Sequence, residues 1–163
     1  MSSAPLPPTG LTVDAPAAPH LSVVIPVCNE AENVAVLAQE IHAALNGHYS
    51  FEVIFVDDGS TDDTVQSVLN ARAQVPQIRL LKHQRRSGQS TAVRSGVRAA
   101  RAAWIATLDG DGQNNPADLP KLVVALQEQN KDGRLKLIMG NRTTRRDTWL
   151  RRLSSRIANG VRG

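Results

Sequence analysis

Two aspartates, Asp109 and Asp111, are the residues of this sequence best placed to do chemistry. They follow the apolar run 104–108, and Gly110 between them lets the backbone turn tightly and leaves room for a ligand. Two neighbouring carboxylates repel each other unless a positive charge lies between them. Mg²⁺ or Mn²⁺ with a diphosphate attached would supply that charge, and Gln113 would add a neutral oxygen. The alternative for this segment is a simple polar turn.

Acidic residues also follow two other apolar runs of the sequence. The run LSVVIPV ends shortly before Asn29 and Glu30, and the run FEVIFV ends at Asp57 and Asp58. Short apolar runs that stop at polar turn residues are typical of buried strands that reach the edge of a sheet. If these strands are neighbours, their acidic ends meet in one cleft.

The apolar patterns predict five strands that alternate with four helices. The strands are predicted at 21–27, 51–56, 78–81, 104–108 and 135–139. The helices are predicted around 34–45, after a cap at Thr61 or Asp62, over 88–103 and from 116 to about 129. Such alternation predicts a parallel sheet with helices on both faces. In the doubly wound order 3-2-1-4, strands one and four are neighbours where the winding reverses, and ligands bind at their carboxyl ends.

Other nucleotide-binding and phosphate-binding classes fit this pattern less well. The turn after the first strand, PVCNEAEN, contains no glycine, so it cannot bring the backbone against a pyrophosphate as G-x-G-x-x-G does. The sequence also contains no G-x-x-x-x-G-K-[ST] phosphate-binding loop. A phosphatase with Asp109 as nucleophile is a further possibility, but it would leave Asp57 and Asp58 without a role.

Composition limits the class of protein and its compartment. A chain of 163 residues with 41% hydrophobic residues can bury the core of one domain, built from aliphatic side chains because only 3% are aromatic. No apolar stretch approaches the ~20 residues of a membrane span, and a signal peptide is not recognisable. Cys28 is the single cysteine, so an internal disulfide is excluded. We expect a cytoplasmic domain after a proline-rich, disordered leader over residues 1–19.

Positive charge is concentrated in the last fifth of the chain. Residues 131–163 carry 10 Lys and Arg against 2 Asp and Glu, whereas residues 1–130 carry 9 against 13. A basic block of this kind indicates phosphate, nucleic acid or an anionic membrane as partner, or a solvated tail. Leu150, Leu153 and Ile157 repeat there at helical spacing among arginines. This spacing predicts a short amphipathic helix that contacts an anionic membrane or packs on the rest of the domain.

Five segments of the sequence, in order, resemble one protein family. They are VVIPVCNEAENV, EVIFVDDGSTDDT, GQSTAVRSGV, ATLDGDGQNNPADLPKL and MGNR. They look like the nucleotide-sugar-binding half of the family 2 glycosyltransferases, in the branch with dolichol-phosphate mannose synthases and related polyprenyl-phosphate glycosyltransferases. The resemblance covers residues 21 to about 160. It implies one domain over 20–163 with an α/β, Rossmann-like, doubly wound and mostly parallel sheet, the A-type glycosyltransferase (GT-A) fold, incomplete at its C-terminal side.

The resemblance also implies roles for residues at matching positions. The nucleoside pocket would be lined by Pro26, Cys28, Glu30, Val56 and Asp58. The divalent metal that bridges the diphosphate, Mg²⁺ or Mn²⁺, would be held by the catalytic pair Asp109 and Asp111 together with Gln113. Contacts with the nucleotide, its phosphates or the acceptor would come from Gly110 and Arg142.

The implied activity is metal-assisted transfer of a sugar from a nucleotide-diphosphate sugar to a polyprenyl phosphate. A phosphate acceptor arrives ionised and needs no general base, and the sequence offers no convincing base after Asp118. No nucleic acid partner is expected, and a peripheral position at the inner face of the membrane fits the acceptor. Family members usually continue beyond a segment such as the one that ends here at Gly163. The resemblance therefore implies a truncated domain, with a non-catalytic nucleotide-binding fragment as the alternative.

Overall fold

A sheet of four parallel strands forms the centre of the computed structural model, which describes residues 18–129. The strands are β1 (Leu21–Val27), β2 (Phe51–Asp57), β3 (Ile78–Lys82) and β4 (Trp104–Thr107). Their order is β3-β2-β1-β4, which confirms the predicted doubly wound order. Leu21 pairs with Phe51 on one side and with Trp104 on the other, so β1, β2 and β4 begin level. The predicted strand 135–139 and most of the predicted leader lie outside the described residues.

The helices follow the strands as the sequence predicts, with differences at their ends. They are α1 (Ala31–Leu45), α2 (Thr64–Gln74), α3 (Gln89–Ala99) and α4 (Leu119–Gln129), the last preceded by a 3₁₀ turn, Pro116–Asp118. The predicted cap of α2 is wrong by one or two residues, because Asp63 occupies the N-cap position without a side-chain bond. Asp62 still supports the first turn, since its Oδ1 accepts the backbone N–H of Thr64 at 3.0 Å.

The predicted end of α3 at residue 103 is wrong, because the helix stops at Ala99. The backbone N–H groups beyond it bond to the sheet instead. Arg101 donates its N–H to Oε1 of Glu52 at 2.7 Å, and Ala102 donates its N–H to Oγ of Ser22 at 3.1 Å. Each of these bonds takes a donor that another helical turn would need.

Helices cover both faces of the sheet, as predicted. On one face, β1 and β2 turn alternate apolar side chains toward α1, α2 and α4 in one continuous core that includes Ile25, Leu37 and Phe55. On the other face, α3 packs over β1 and β2. Gly96 makes this close contact possible, because a Cβ atom there would lie 2.4 Å from Cγ1 of Val24. The helix would have to move outward to accept any larger residue.

A buried carboxylate, that of Glu52, stabilises the edge of the sheet at which the strands begin. Glu52 is 1% exposed and accepts hydrogen bonds from Ser22 Oγ at 2.7 Å, from Arg79 at 2.7 Å and from Nε of Arg101 at 2.9 Å. Burial by itself raises the pKa of this carboxyl, but the hydrogen bonds outweigh it and lower the pKa from 4.5 to about 2. Glu52 therefore stays ionised and links β1 and β3 to the segment that enters β4.

Candidate functional site

A cavity of about 340 Å³ opens at the carboxyl ends of β1, β2 and β4, where the winding of the sheet reverses. Seven of the residues predicted for the site line it: Pro26, Cys28, Glu30, Asp58, Asp109, Gly110 and Asp111. The structure thus brings residues from three strand ends into one cleft, which is where ligands bind in open α/β sheets.

Three other predicted site residues lie elsewhere or outside the described part. Val56 is fully buried on the face of the sheet that α3 covers, with Val24 and Ile54 as neighbours in its cluster. Gln113 is exposed on the loop beyond Asp111 and does not line the cavity. Arg142 lies outside the described residues.

The loop after β4 is held against β1. Leu108 donates its N–H to the carbonyl of Val24 at 3.1 Å, which extends the pairing of the two strands by one residue. At Gly110 the backbone passes so close to β1 that a Cβ atom would lie 2.8 Å from the carbonyl oxygen of Pro26. This contact fixes where the carboxylates on either side of the glycine project.

The Asp109 and Asp111 side chains are held by amide groups. Nε2 of Gln89 donates to Oδ1 of Asp109 at 3.0 Å, and Nδ2 of Asn114 donates to Oδ2 at 3.4 Å. Oδ1 of Asp111 accepts the N–H of Gln113 at 3.1 Å. Asp109 is half-buried and Asp111 is exposed.

The donor set at this loop fits a hard divalent cation that brings ligands of its own. Across residues 18–129 no group of three or more His, Cys, Asp or Glu side chains could hold a metal ion. Asp109 and Asp111 supply carboxylate oxygens, the ligand type that Mg²⁺ and Mn²⁺ prefer. Mg²⁺ is commonly held by one or two carboxylates together with water and substrate phosphates. The pair is therefore suited to a metal that arrives with a diphosphate.

Asp58 is buried at the rim of the cavity and is tied to the segment before α3. Its Oδ1 contacts Nδ1 of His83 at 2.7 Å and accepts the N–H of Ser87 at 2.9 Å, and its Oδ2 accepts the N–H of Gly88 at 2.7 Å. Burial raises the pKa of this carboxyl, but the bonds from His83, Ser87 and Gly88 outweigh burial and lower it. Asp58 is thus an ionised acceptor in a fixed position.

Two residues predicted to meet in the cleft stabilise its loops instead of lining it: Asn29 joins the first loop to the second, and Asp57 bonds within the second. Asn29, with φ of 59°, donates its N–H to Oγ of Ser60 at 2.9 Å and accepts the N–H of Thr61 on its Oδ1 at 2.9 Å. Asp57 is fully buried and accepts the N–H of Ser60 at 3.2 Å. Neither Asn29 nor Asp57 lines the cavity.

Sequence reasoning missed four residues that line the cavity: Val27, Arg86, Gly88 and Gln89. Val27 ends β1, and the other three lie in the loop between β3 and α3 and at the first residue of α3. This loop passes over Gly59 so closely that a Cβ atom at Gly59 would lie 2.7 Å from the backbone N of Arg86. The signal was available in the topology. In a parallel sheet every strand-to-helix loop lies at the carboxyl edge, so the start of α3 belongs to the same edge as the acidic strand ends.

The described residues contain no helix that is long and apolar enough to span a membrane. Their parallel sheet, reversed winding and cavity at the point of reversal define a doubly wound α/β domain of the GT-A type. The sequence profile described as "Glycosyl transferase family 2" matches residues 22–161, and the chain belongs to this family. The family resemblance and the fold predicted from the sequence are confirmed.

Similar proteins include enzymes named for polyprenyl-phosphate sugar chemistry. The dodecaprenyl-phosphate galacturonate synthase of Rhizobium johnstonii is 39% identical over 150 residues, covering 88% of this chain and 42% of that protein. The undecaprenyl-phosphate 4-deoxy-4-formamido-L-arabinose transferase of Edwardsiella ictaluri is 36% identical over 145 residues, covering 86% and 42%. The chain therefore spans about two fifths of the length of these curated relatives.

Among solved structures, the chain is similar to the mannosyltransferase PcManGT of Pyrobaculum calidifontis in complex with GDP-Man and Mn²⁺. The TM-score is 0.60 and the identity 26%, and the match covers 67% of this chain and 32% of that one.

Proposed function

We propose that this chain is the nucleotide-sugar-binding part of a glycosyltransferase that moves a sugar from a nucleotide-diphosphate sugar to a polyprenyl phosphate. The observation that carries the proposal is the position of Asp58 and the Asp109–Asp111 pair around one cavity of about 340 Å³. One carboxylate can accept hydrogen bonds from a nucleoside, and the other two can face a diphosphate. The names of the two bacterial relatives support the acceptor class.

The nucleoside side of the cavity is proposed to be formed by Pro26, Cys28, Glu30 and Asp58. Asp58 is ionised and immobilised, so it accepts a hydrogen bond without having to reorganise when a ligand arrives. Val56 would act from beneath, by packing under the strand end that carries Asp58.

The diphosphate side is proposed to be formed by the loop after β4, with Gln113 and Gly110 beside the two aspartates. When Mg²⁺ or Mn²⁺ is bound there, it supplies Lewis-acid stabilisation of the charge that builds on the leaving diphosphate. The solved relative with Mn²⁺ supports a divalent metal. Gln89 and Asn114 orient the two oxygens of Asp109, and Gln113 N–H orients Asp111.

The acceptor is proposed to be an ionised lipid phosphate, which attacks the sugar without a general base. Arg142 is proposed to contact its phosphate or those of the donor. Such an acceptor requires the protein to work at a membrane surface, and we propose a peripheral position at the cytoplasmic face. The basic segment 131–163 is proposed as one contact with that surface.

A turnover assay tests the proposal. The chain is supplied with Mn²⁺, a panel of labelled nucleotide sugars and polyprenyl phosphate, and transfer of label into the lipid phase is measured. The expected result is transfer from one donor class, lost in a variant with Asp109→Asn and Asp111→Asn. A chain that binds the nucleotide diphosphate but never transfers label would instead be a non-catalytic nucleotide-binding fragment. A chain that binds no nucleotide would contradict both readings.

A further inference from the structure

The middle of the chain carries positive charge and contains no acidic residue of its own. Residues 64–108 contain eight Lys and Arg and no Asp or Glu. Two of the eight, Arg79 and Arg101, contact the buried carboxylate of Glu52. Helix α3 carries Arg94 and Arg98, both exposed, and no acidic side chain. These two cations are therefore uncompensated within their own helix.

The outer side of α3 combines these cations with an exposed aliphatic side chain, Val97. Ala92 and Gly96 are the buried positions of the helix, so at 3.6 residues per turn Arg94, Val97 and Arg98 point away from the sheet. Val97 is 40% exposed.

Strand β4 carries a further exposed aliphatic side chain on the side of the sheet that α3 occupies. Helix α3 packs over β1 and β2, and Ile105 of β4 is 40% exposed. Ile105 is the register partner of Ser22, which lies two residues before Val24 and therefore on the same side of β1, the side that α3 covers. Ile105 therefore projects from the face of the sheet that α3 occupies. We call Arg94, Val97, Arg98 and Ile105 the α3 face.

We propose that the α3 face docks on an anionic membrane surface. Cations alone would suit any polyanion, but aliphatic side chains beside them favour a lipid surface, where they leave water among the headgroups.

The α3 face lies close to the cavity, so docking there would place the cavity near the membrane. Gly88 and Gln89 at the start of the helix line the cavity, and Arg94 lies roughly 8 Å further along the helix axis. A membrane that rests on the α3 face brings lipid phosphates to the rim of the cavity. This last step rests on the proposed function, whereas the docking itself does not.

The test uses the full chain and vesicles of phosphatidylcholine, with and without phosphatidylglycerol, in a co-sedimentation assay. The test variant is Arg94→Gln with Arg98→Gln. The matched control is Arg72→Gln with Lys121→Gln, which removes the same charge from exposed positions of α2 and α4 on the opposite face. Each cation near an anionic surface contributes roughly fivefold to partitioning, so the test variant should bind anionic vesicles roughly 25-fold more weakly. The control should lose much less.

A second variant, Val97→Ser with Ile105→Ser, keeps the charge and should also weaken vesicle binding. All variants retain the basic segment 131–163, so its contribution is the same throughout. Equal losses in the test and control variants, or equal binding to neutral and anionic vesicles, would overturn the proposal. Double-stranded DNA is added as a competitor for vesicle binding. If DNA displaced the vesicles equally well from the original chain and from the serine variant, the surface would bind any polyanion, and the proposal would also be overturned.

Binding of a soluble nucleoside diphosphate is measured on every variant. If vesicle binding depends on Arg94 and Arg98 but the chain binds no nucleotide, the proposed function is refuted and the α3 face is not. Intact nucleotide binding with docking that ignores these arginines would refute the α3 face alone.

Discussion

Nδ1 of His83 lies 2.7 Å from Oδ1 of Asp58, and Nε2 of the same ring lies 2.9 Å from Oγ of Ser95. The imidazole thus bridges the end of β2 to helix α3 beside the cavity. The Asp58 carboxylate has about four lone-pair directions that can accept hydrogen bonds. His83 and the N–H groups of Ser87 and Gly88 occupy three of them. One direction is left for a ligand, and its orientation is set by the other three.

Two near-isosteric substitutions of His83 separate its two bonds. Asn places its amide nitrogen near the position of Nδ1 and keeps a donor for Asp58, whereas Gln places it near Nε2 and keeps only the contact with Ser95. We expect His83→Gln to weaken binding of a nucleoside monophosphate about tenfold, and His83→Asn to weaken it little. Isothermal titration calorimetry measures both. Equal affinities of the two variants would show that the bond to Asp58 does not set the pocket.

Asp58→Asn tests whether this carboxylate faces the nucleoside or the metal. The change removes the charge while it keeps the shape and part of the hydrogen bonding. Loss of a charge-assisted hydrogen bond should cost roughly 1.5 to 3 kcal/mol of binding free energy. We expect this loss for a nucleoside monophosphate without metal as well as for a diphosphate with Mn²⁺. Weakening confined to the diphosphate with Mn²⁺ would assign Asp58 to the metal side.

The strands could be predicted because each is a short apolar run that stops at a polar turn, and their order followed from the doubly wound topology that alternating strands and helices favour. β1 and β2 are buried along their whole length, which matches the unbroken runs in the sequence. The end of α3 could not be predicted, because local propensity continues through residues 100–103. The bonds that end the helix join Arg101 to Glu52 and Ala102 to Ser22, which are 49 and 80 residues apart in sequence.

The residues that line the candidate cavity were predicted mainly where polar residues follow a strand, and most of the others were missed. Arg86 and Gln89 reach the cavity from the loop after β3 and the start of α3, where no acidic residue follows the strand. Val56 shows the opposite limit. In a strand buried on both faces, hydrophobicity does not reveal which residue points toward the ligand, and Val56 turns into the core beneath α3.

Glu52 gives a prediction about the dependence of stability on pH. Its pKa is about 2 in the folded protein against 4.5 as a free group, so its contribution is present above pH 4.5 and is lost as the pH falls toward 2. The shift corresponds to about 3 kcal/mol of unfolding free energy. We expect Glu52→Gln to unfold more easily than the original chain at neutral pH, with the difference shrinking between pH 4.5 and 2.

Urea denaturation across this pH range measures the effect, with Glu40→Gln on the exposed side of α1 as the control. The control should follow the original chain at every pH. A constant difference between the Glu52 variant and the original chain would show that packing, and not the charge of Glu52, is responsible.

The remaining prediction concerns the metal. Asp109 and Asp111 offer carboxylate oxygens at one loop, and no third His, Cys, Asp or Glu completes a metal site with them within residues 18–129. The loop should therefore hold Mn²⁺ weakly alone and more tightly when a diphosphate adds its oxygens. We expect Mn²⁺ to raise the affinity of the original chain for a nucleoside diphosphate and to leave its affinity for the nucleoside unchanged.

Asp111→Asn should remove this Mn²⁺-dependent gain. The substitution removes one of the two negative charges at the loop and should lower metal affinity roughly tenfold or more. Asp118→Asn is the matched control, because Asp118 is exposed in the adjacent 3₁₀ turn and contacts Lys121 at 2.7 Å. The control should keep the full gain, and thermal unfolding should show both variants folded. The decisive comparison is affinity with Mn²⁺ against affinity with a chelator for each variant. If Asp111→Asn kept the gain of the control, the metal would have to bind elsewhere, and the diphosphate would lose its proposed place beside this loop.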